Sequence, residues 1–245
     1  MKYAQNCSIK NHDILGEVIL NKPEIDPNHI VVFTGAGISA DQLATFTDDN
    51  GLWLKYRVEE VSSAHALKAY PEKVIDFYNF RKQEVLSAHP NPAHIAIAEL
   101  EKKYRVSVVT SNVDNLHERA GSTQVYHVHG SLFEARHLES DISFSIGDRL
   151  YSLENNERPH VVLYGEQVPN LYEVKKLFQT ASKVLIVGTS LTVKPVCNLP
   201  KYARGRAEKI LVSKHVNKRP YGFEFIPLDA IIAVPLIVKR WLNQH

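Results

Sequence analysis

Short apolar runs rich in β-branched residues alternate with longer amphipathic segments, and this alternation constrains the fold of the chain more than any other feature. Most of the runs end at Gly, Ser or Asn. They are His29–Phe33, Val106–Thr110, Val125–Val128, Val161–Tyr164, Val184–Val187 and Ile210–Val212. Runs of this length are typical of strands that are buried on both faces of a parallel sheet.

The segments between the runs have helical periodicity. In one of them Val74, Phe77, Tyr78 and Val85 recur at helical spacing, and Pro71 suits a first helical turn. We predict helices over Pro71–Ala88, Pro92–Tyr104, Leu171–Ala181 and Asp229–Leu242. Strands that alternate with helices predict a doubly wound, Rossmann-like α/β fold, which binds ligands at the carboxyl ends of its strands.

The length of 245 residues suits one large α/β domain. A globule of this size buries roughly 70–75% of the surface that its unfolded chain exposes, so it needs no covalent staples. We expect a single domain over residues 1–245. Its parts would be a core at about 28–45, 90–135 and 160–242, a helical insertion at about 46–89, and a reduced small lobe at about 136–159.

Composition excludes several classes of protein. The formal net charge of +2 is too small for a nucleic-acid footprint or a polybasic membrane patch. No apolar stretch is long enough to cross a bilayer, and the first residues are polar. Two cysteines, Cys7 and Cys197, form neither a disulfide framework nor a zinc site of four cysteines. We expect a soluble, cytoplasmic protein that binds neither nucleic acid nor membranes.

A glycine-rich turn follows the first apolar run. Residues 35–40 read GAGISA, the G-x-G-x-x-A form of a dinucleotide-binding loop. Gly35 would permit the tight turn, Gly37 would let the backbone approach a pyrophosphate, and Ala40 would allow close packing. A following helix would direct its N–H groups at the phosphates. A strand-to-helix turn without a ligand is the alternative for this motif alone.

Polar side chains follow the second run, where residues 110–117 read TSNVDNLH. Asn112, Asp114 and Asn115 would lie at the carboxyl end of a strand, where their amides and carboxylate can bind ribose hydroxyls and a carboxamide. The alternative is that Asp114 or Asn115 only caps a helix.

Two histidines stand two residues apart in the third stretch, YHVHGSLF. In a regular strand His127 and His129 would share a face, so a metal pair is geometrically possible, but no convincing third ligand follows. We favour His129 as a catalytic base at a strand end, although a structural histidine is the alternative. Gly130 would end the strand and leave room for a substrate.

Two more runs end in residues that suit ligands. The stretch that ends in Gly165 and Glu166 can pair with an extended peptide by β-strand addition, or it is an ordinary strand. Gly188, Thr189 and Ser190 offer hydroxyl and N–H groups for phosphate or ribose, or they form a turn without a ligand.

Together these stretches resemble the sirtuin family of NAD-dependent protein deacylases. The matching motifs, in the family's order, are GAGIS, PNPAH, SNVDNLHERAG, HGSLF, RPHVVLYGE and GTSLTVKP. They cover roughly residues 30 to 240, and six pieces in order are far more specific than any one of them. The resemblance implies that NAD is the cofactor and that an acyl-lysine protein or peptide is the partner.

The resemblance also implies residue roles. His129 and Asn112 would be catalytic, with His129 as the general base for a ribose hydroxyl. The acyl oxygen would attack the ribosyl carbon as nicotinamide leaves, so that the acyl group ends on ADP-ribose. The implied cofactor-binding residues are Gly35, Ala36, Gly37, Ser39, Phe46, Ser111, Asn112, Asp114, Gly188, Thr189, Ser190, Ser213 and Asp229. The implied peptide-binding residues are Val161, Val162, Leu163, Tyr164, Gly165 and Glu166.

The chain departs from the family's pattern in four places. Residues 134–149 contain none of the cysteines that bind structural zinc in the family, so we predict no metal; a His127/His137/His160 site is not favoured. The loop QLATFT lacks the family's proline and arginine, with Thr47 in the arginine's place. Ser111 and Ser213 replace a glutamine and an asparagine.

Three functions therefore stay open, in this order. The first is an NAD-dependent protein lysine deacylase. The second is an NAD glycohydrolase or ADP-ribosyltransferase on the same scaffold, which the altered loop favours. The third is a non-catalytic sensor of NAD or ADP-ribose.

Overall fold

The computed structural model describes residues 23–43, 57–140, 142–216 and 218–244. Its strands are β1 (Asp26–Thr34), β2 (Arg105–Thr110), β3 (Val125–His127), β4 (Gly130–His137), β5 (Ser143–Ser145), β6 (Glu157–Val161), β7 (Ala181–Val187), β8 (Glu208–Val212) and β9 (Glu224–Ile226). Its helices are α1 (Val58–Val61), α2 (Ala64–Ala69), α3 (Pro71–Ser87), α4 (Pro92–Glu99), α5 (Leu116–Arg119), α6 (Leu171–Thr180) and α7 (Ala230–Leu242). None of these helices is long and apolar enough to cross a membrane.

The central sheet has the strand order β3-β2-β1-β7-β8-β9, and every pair in it is parallel. The direction in which the chain adds strands reverses between β1 and β7. This is the doubly wound arrangement that the sequence predicts, and the gap between β1 and β7 is its topological switch point. The prediction of the fold class is confirmed.

Helices cover both faces of the central sheet. Side chains of β1 alternate between the two faces, so Ile30 and Val32 pack in the cluster that includes Trp241 of α7. Val31 and Phe33 pack on the opposite face in the cluster that includes Phe178 of α6. Burial on both faces explains why β1 reads as a continuous apolar run.

The four predicted helices are α3, α4, α6 and α7, within a few residues at each end. The helix predicted over Pro92–Tyr104 stops at Glu99 and continues as a short 3₁₀ turn from Leu100 to Lys102. The strand β9 was not predicted, because three residues at a sheet edge carry too little periodicity to stand out. The division into core, insertion and small lobe stays a prediction.

A second sheet, β5-β4-β6, is antiparallel, and it corrects one prediction. The run Val161–Tyr164 was expected to be a strand of the parallel sheet, which is wrong. Only Val161 lies in a strand, as the last residue of β6. The apolar run indicated the wrong residues because the strand β6 begins with two buried charged residues, Glu157 and Arg158. Each of them has an ion-pair partner. A hydrophobic pattern cannot detect such a strand.

A buried lysine joins α3 to the small sheet. The Lys82 ammonium donates to the carbonyl oxygens of Gly147 at 2.6 Å and of Arg149 at 2.7 Å. It also lies 5.1 Å from the centre of the Phe133 ring. Burial lowers the pKa of Lys82 to about 8. This charge therefore fixes the loop between β5 and β6 to the helical layer.

We expect Lys82→Met to lower the free energy of unfolding by about 2 kcal/mol, because the two hydrogen bonds of a buried charged group are lost. Urea denaturation measures this, with the exposed Lys102→Met as the control. The folded-state pKa lies below the unfolded one, so the unfolded chain binds more protons above about pH 8. Wild type should therefore gain stability relative to Lys82→Met as pH rises from 8 to 10. Equal urea midpoints for wild type and Lys82→Met at pH 7 would refute this stabilising role of the Lys82 hydrogen bonds, here called the Lys82 clamp.

Candidate functional site

Two glycine loops meet at the switch point, at the carboxyl ends of β1 and β7. The Gly35 N–H donates to the carbonyl of Val187 at 3.0 Å, and the Gly37 N–H donates to the carbonyl of Gly188 at 2.8 Å. The loop after β1 and the loop after β7 are thus one hydrogen-bonded unit. It lies at the edge of the sheet where doubly wound folds bind ligands.

Close packing of these loops explains the glycines. A Cβ added at Gly37 would lie 2.8 Å from the Gly188 Cα, and one at Gly188 would lie 2.3 Å from the Ile38 nitrogen. Gly188 also has a φ of +61°, which L side chains rarely adopt. The sequence predicted that Gly37 makes room for a pyrophosphate, and the structure adds a reason within the protein itself.

Within the glycine turn the chain forms a 3₁₀ turn from Ala36 to Ile38. The predicted α-helix does not begin by residue 43. Phe46 and Thr47 lie outside the described residues.

Asn112 lies against the glycine turn from the neighbouring strand. Its side-chain Nδ2 donates to the Gly35 carbonyl at 3.3 Å, and its backbone N–H donates to Thr110 Oγ1 at 3.0 Å. Ser111 donates both its N–H and its hydroxyl to the Thr34 carbonyl at the end of β1. The Ser111 hydroxyl is therefore already engaged by the protein, whereas Asn112 presents its amide beside the turn.

Asp114 is buried, and one of its carboxylate oxygens caps the start of α5. Oδ1 accepts the Leu116 N–H at 3.1 Å. Asn115 precedes the helix but makes no side-chain cap. Asp114 therefore caps this helix, as the capping alternative predicts. Burial raises the pKa of Asp114.

His129 follows β3 in a turn and is held by Ser111, the residue after the neighbouring strand β2. Its Nδ1 lies 3.2 Å from the Ser111 carbonyl oxygen. Because a carbonyl only accepts, Nδ1 carries the hydrogen, and Nε2 keeps a lone pair in the neutral ring. Burial lowers the pKa of His129, so the ring is neutral near pH 7. These are the properties of a general base.

His127 does not share a strand face with His129, since β3 ends at His127. Its Nδ1 lies 3.0 Å from the Asn112 carbonyl oxygen, and its Nε2 lies 2.7 Å from a Glu118 carboxylate oxygen. Although burial disfavours the cation, Glu118 and the Asn112 carbonyl outweigh it and raise the pKa of His127. The two histidines therefore have opposite protonation preferences.

Among the described side chains, no group of three or more His, Cys, Asp or Glu residues is arranged to hold a metal ion. The histidines of the disfavoured site have separate partners. The His137 ring packs 5.0 Å from that of Phe144, and His160 lies 3.6 Å from Glu134. The lack of structural zinc stays a prediction, which metal analysis of the purified protein tests.

Gly130 corrects another expectation, because it begins β4 and does not end the strand before it. Its φ is +78°, and an added Cβ would lie 2.0 Å from the His160 carbonyl oxygen. This glycine lets β4 approach β6, whereas the sequence assigned its lack of a side chain to substrate access.

The proposed peptide-binding segment is joined to His129. The Val162 N–H donates to the His129 carbonyl at 2.9 Å. The Leu163 N–H donates to Glu166 Oε2 at 2.9 Å, and the Tyr164 N–H donates to the Ser62 carbonyl at 2.8 Å. A peptide added as a strand would therefore need other backbone groups than these amides.

The remaining predicted residues lie at the same edge of the sheet. The Gly188 N–H donates to the carbonyl of Val212, the last residue of β8, so Ser213 lies at the end of β8 beside the glycine loops. The Ser213 hydroxyl donates to the His215 carbonyl at 2.7 Å. Asp229 precedes α7 and pairs with Lys214 at 2.6 Å. Thr189 Oγ1 accepts the Leu191 N–H at 3.2 Å, and the Ser190 hydroxyl lies 2.9 Å from that of Thr192.

Two buried histidines under the glycine turn were not predicted to have a structural role. His94 lies 3.5 Å from the Ser39 hydroxyl, and its ring contacts that of His117 at 4.9 Å between centroids. His117 Nε2 lies 3.0 Å from Thr34 Oγ1. Burial lowers the pKa of His94 to about 4, so it is neutral.

Asn91 caps α4 and donates to the Ile38 carbonyl at 2.7 Å, a link that the motif PNPAH signals.

Comparison with known proteins identifies the family. Residues 35–195 match the Sir2 family. The chain belongs to the Sir2 family. An NAD-dependent protein deacylase of Helicobacter pylori strain J99 is 42% identical over 228 residues, which are 88% of this chain and 96% of the relative. One from Vibrio cholerae is 37% identical over 235 residues, 87% and 93% of the two chains.

Solved Sir2 structures have the same fold. A complex of a Sir2 homolog with NAD has a TM-score of 0.77 at 30% identity, and the match covers 97% of this chain and 96% of the other. A Sir2 homologue mutant with ADP ribose has a TM-score of 0.80 at 32% identity, over 89% and 94%. The family resemblance noted in the sequence is confirmed.

Proposed function

We infer that this Sir2 protein is an NAD-dependent protein lysine deacylase. One observation carries the inference: the Asn112 amide donates to the Gly35 carbonyl of the paired glycine loops, and the neutral His129 ring is held by the carbonyl of Ser111, the residue before Asn112. The curated relatives at 37–42% identity that are named NAD-dependent protein deacylases support the same activity.

The residues at the switch point fit NAD. The N–H groups of Gly35, Gly37 and Gly188 already bond to protein carbonyls, so the Thr189 and Ser190 hydroxyls beside them would suit a diphosphate. No carboxylate belongs to either loop segment, residues 35–39 and 188–190. Asn112 would contact the nicotinamide ribose, and Asp114 would hold the carboxamide. Ser213 and Asp229 would lie toward the adenosine end. When bound, NAD supplies a ribosyl carbon whose bond to nicotinamide is broken.

The protein's own groups would do two things in the reaction. His129 Nε2 would take the proton of a ribose hydroxyl, while Nδ1 stays bonded to the Ser111 carbonyl. The segment Val161–Glu166 would hold the acyl-lysine peptide, and its link from Val162 to His129 would set the distance between peptide and base. Positioning of this kind supplies a large part of a rate enhancement.

Nicotinamide release from NAD, measured with and without an acetyl-lysine peptide, tests the function. Release that requires the peptide and leaves an unacylated lysine side chain in it supports deacylation. Equal release without peptide would instead identify an NAD glycohydrolase, and binding of ADP-ribose without any release would identify a sensor. The proposal also includes a cytoplasmic location, which cell fractionation tests.

The pH profile gives a second test. A base acts only when it is unprotonated, and burial lowers the pKa of His129 below its usual 6.5. We therefore expect the acid limb of kcat/KM to have its midpoint below pH 6.5, while ADP-ribose affinity stays level over the same range. A midpoint above pH 7 would contradict the assignment of His129.

A further inference from the structure

Three hydrogen bonds join residues 110–112 to residues 127–129 at the site. The Val128 N–H donates to the Thr110 carbonyl at 3.0 Å. His129 Nδ1 donates to the Ser111 carbonyl, and His127 Nδ1 donates to the Asn112 carbonyl. The position of the Asn112 backbone thus depends on the His127 ring, and the direction of the His129 ring depends on the residue before Asn112.

A single carboxylate orients the His127 ring. Glu118, on α5, places Oε1 at 2.7 Å from His127 Nε2, and the His127 side chain is only 15% exposed. Both ring nitrogens therefore face oxygens that accept, and this pair of partners holds the ring in one orientation. Glu118 is itself 41% exposed, so its replacement does not open the core.

We propose that Glu118 is a positioning residue, which acts through His127 to hold Asn112 in its reactive place. The proposal rests on the deacylase function inferred above. Within the part of the chain that the structure describes, the Glu118 carboxylate bonds to the His127 ring, and its effect passes through that ring to the Asn112 carbonyl.

The Asn112 side chain needs such support. Its own bond to the Gly35 carbonyl, at 3.3 Å, is long for an N–H···O hydrogen bond. If the His127 ring turned away, the Asn112 carbonyl would lose its donor and the Ser111–Asn112 segment would shift. A displacement of about 1 Å at a reacting group is enough to cost up to about 100-fold in rate.

The test compares three variants by steady-state kinetics with NAD and an acetyl-lysine peptide. Glu118→Ala removes the partner of His127, whereas Glu118→Gln keeps a side chain that can still bond to Nε2. Glu101→Ala is the matched control. The Glu101 carboxylate accepts from the N–H of Thr123 at 2.8 Å and from the hydroxyl of Thr123 at 2.7 Å, and Thr123 lies between α5 and β3. Melting temperatures are measured for all of them.

We expect Glu118→Ala to lower kcat about tenfold with an unchanged KM for the peptide, Glu118→Gln to recover most of kcat, and Glu101→Ala to match wild type. A kcat of Glu118→Ala within twofold of wild type, or an equal loss in Glu101→Ala, would overturn the proposal. A wild-type protein without peptide-dependent turnover would instead refute the function, so the two failures are distinguishable.

Discussion

Replacement of His129 by alanine is expected to lower kcat for deacylation by about 10²–10⁴-fold, the range for loss of a general base. Its affinity for NAD should change by less than about threefold, because the glycine loops and Asn112 bond to each other and to the backbone around them. The reason lies in the imidazole: it is neutral, with Nδ1 engaged by Ser111 and Nε2 able to accept a proton. Single-turnover assays and ADP-ribose titration measure the two effects.

His65→Ala is the matched control, since His65 lies exposed on α2. It should leave both rate and affinity unchanged. Full deacylation by His129→Ala would remove the catalytic assignment of this residue, and a large loss of ADP-ribose affinity would make it a binding residue instead.

The second large effect is expected from Gly188→Ala. The new Cβ would lie 2.3 Å from the Ile38 nitrogen and 2.4 Å from the Gly37 carbonyl carbon, both backbone atoms. The positive φ of this residue adds strain for any L side chain. The two glycine loops must therefore separate, at a cost of about 3 kcal/mol or more in the free energy of unfolding. ADP-ribose affinity should fall as well.

Gly205→Ala isolates the steric cause, because nothing lies within 4 Å of a Cβ built there and its φ is outside the strained region. It should unfold at the wild-type denaturant concentration and bind ADP-ribose normally. A Gly188→Ala variant with wild-type stability and affinity would show that the loops need not touch.

Much of the core could be predicted from the sequence, for a physical reason. Strands buried on both faces, such as β1 and β7, have continuous apolar sequences. Long amphipathic helices such as α3 have apolar residues at helical spacing. The ends of those strands follow from the fold, since parallel strands share one carboxyl edge. The sequence therefore places Gly35, Asn112 and Gly188 at one edge of the sheet. The structure joins Asn112 to Gly35, and Gly37 to Gly188, by hydrogen bonds. Their roles toward NAD stay predictions.

What the sequence could not indicate depends on contacts between distant residues. Strand β6 buries Arg158 and Glu157 beside their ion-pair partners, so its hydrophobic pattern points to the wrong residues. The His127–Glu118 pair and the Lys82 clamp have no local signature, because each joins segments that only the fold brings together. Gly130 has a visible signal, but the neighbour that requires it, His160, cannot be read from the motif.

The central claim is that the paired glycine loops, Asn112 and His129 surround one dinucleotide. A crystal structure of the protein with ADP-ribose tests it most directly. We expect the diphosphate on Gly35–Gly37 and Thr189, with the distal ribose beside Asn112 and within hydrogen-bond reach of His129. A dinucleotide bound away from the switch point, or a ribose beyond the reach of His129, would contradict it.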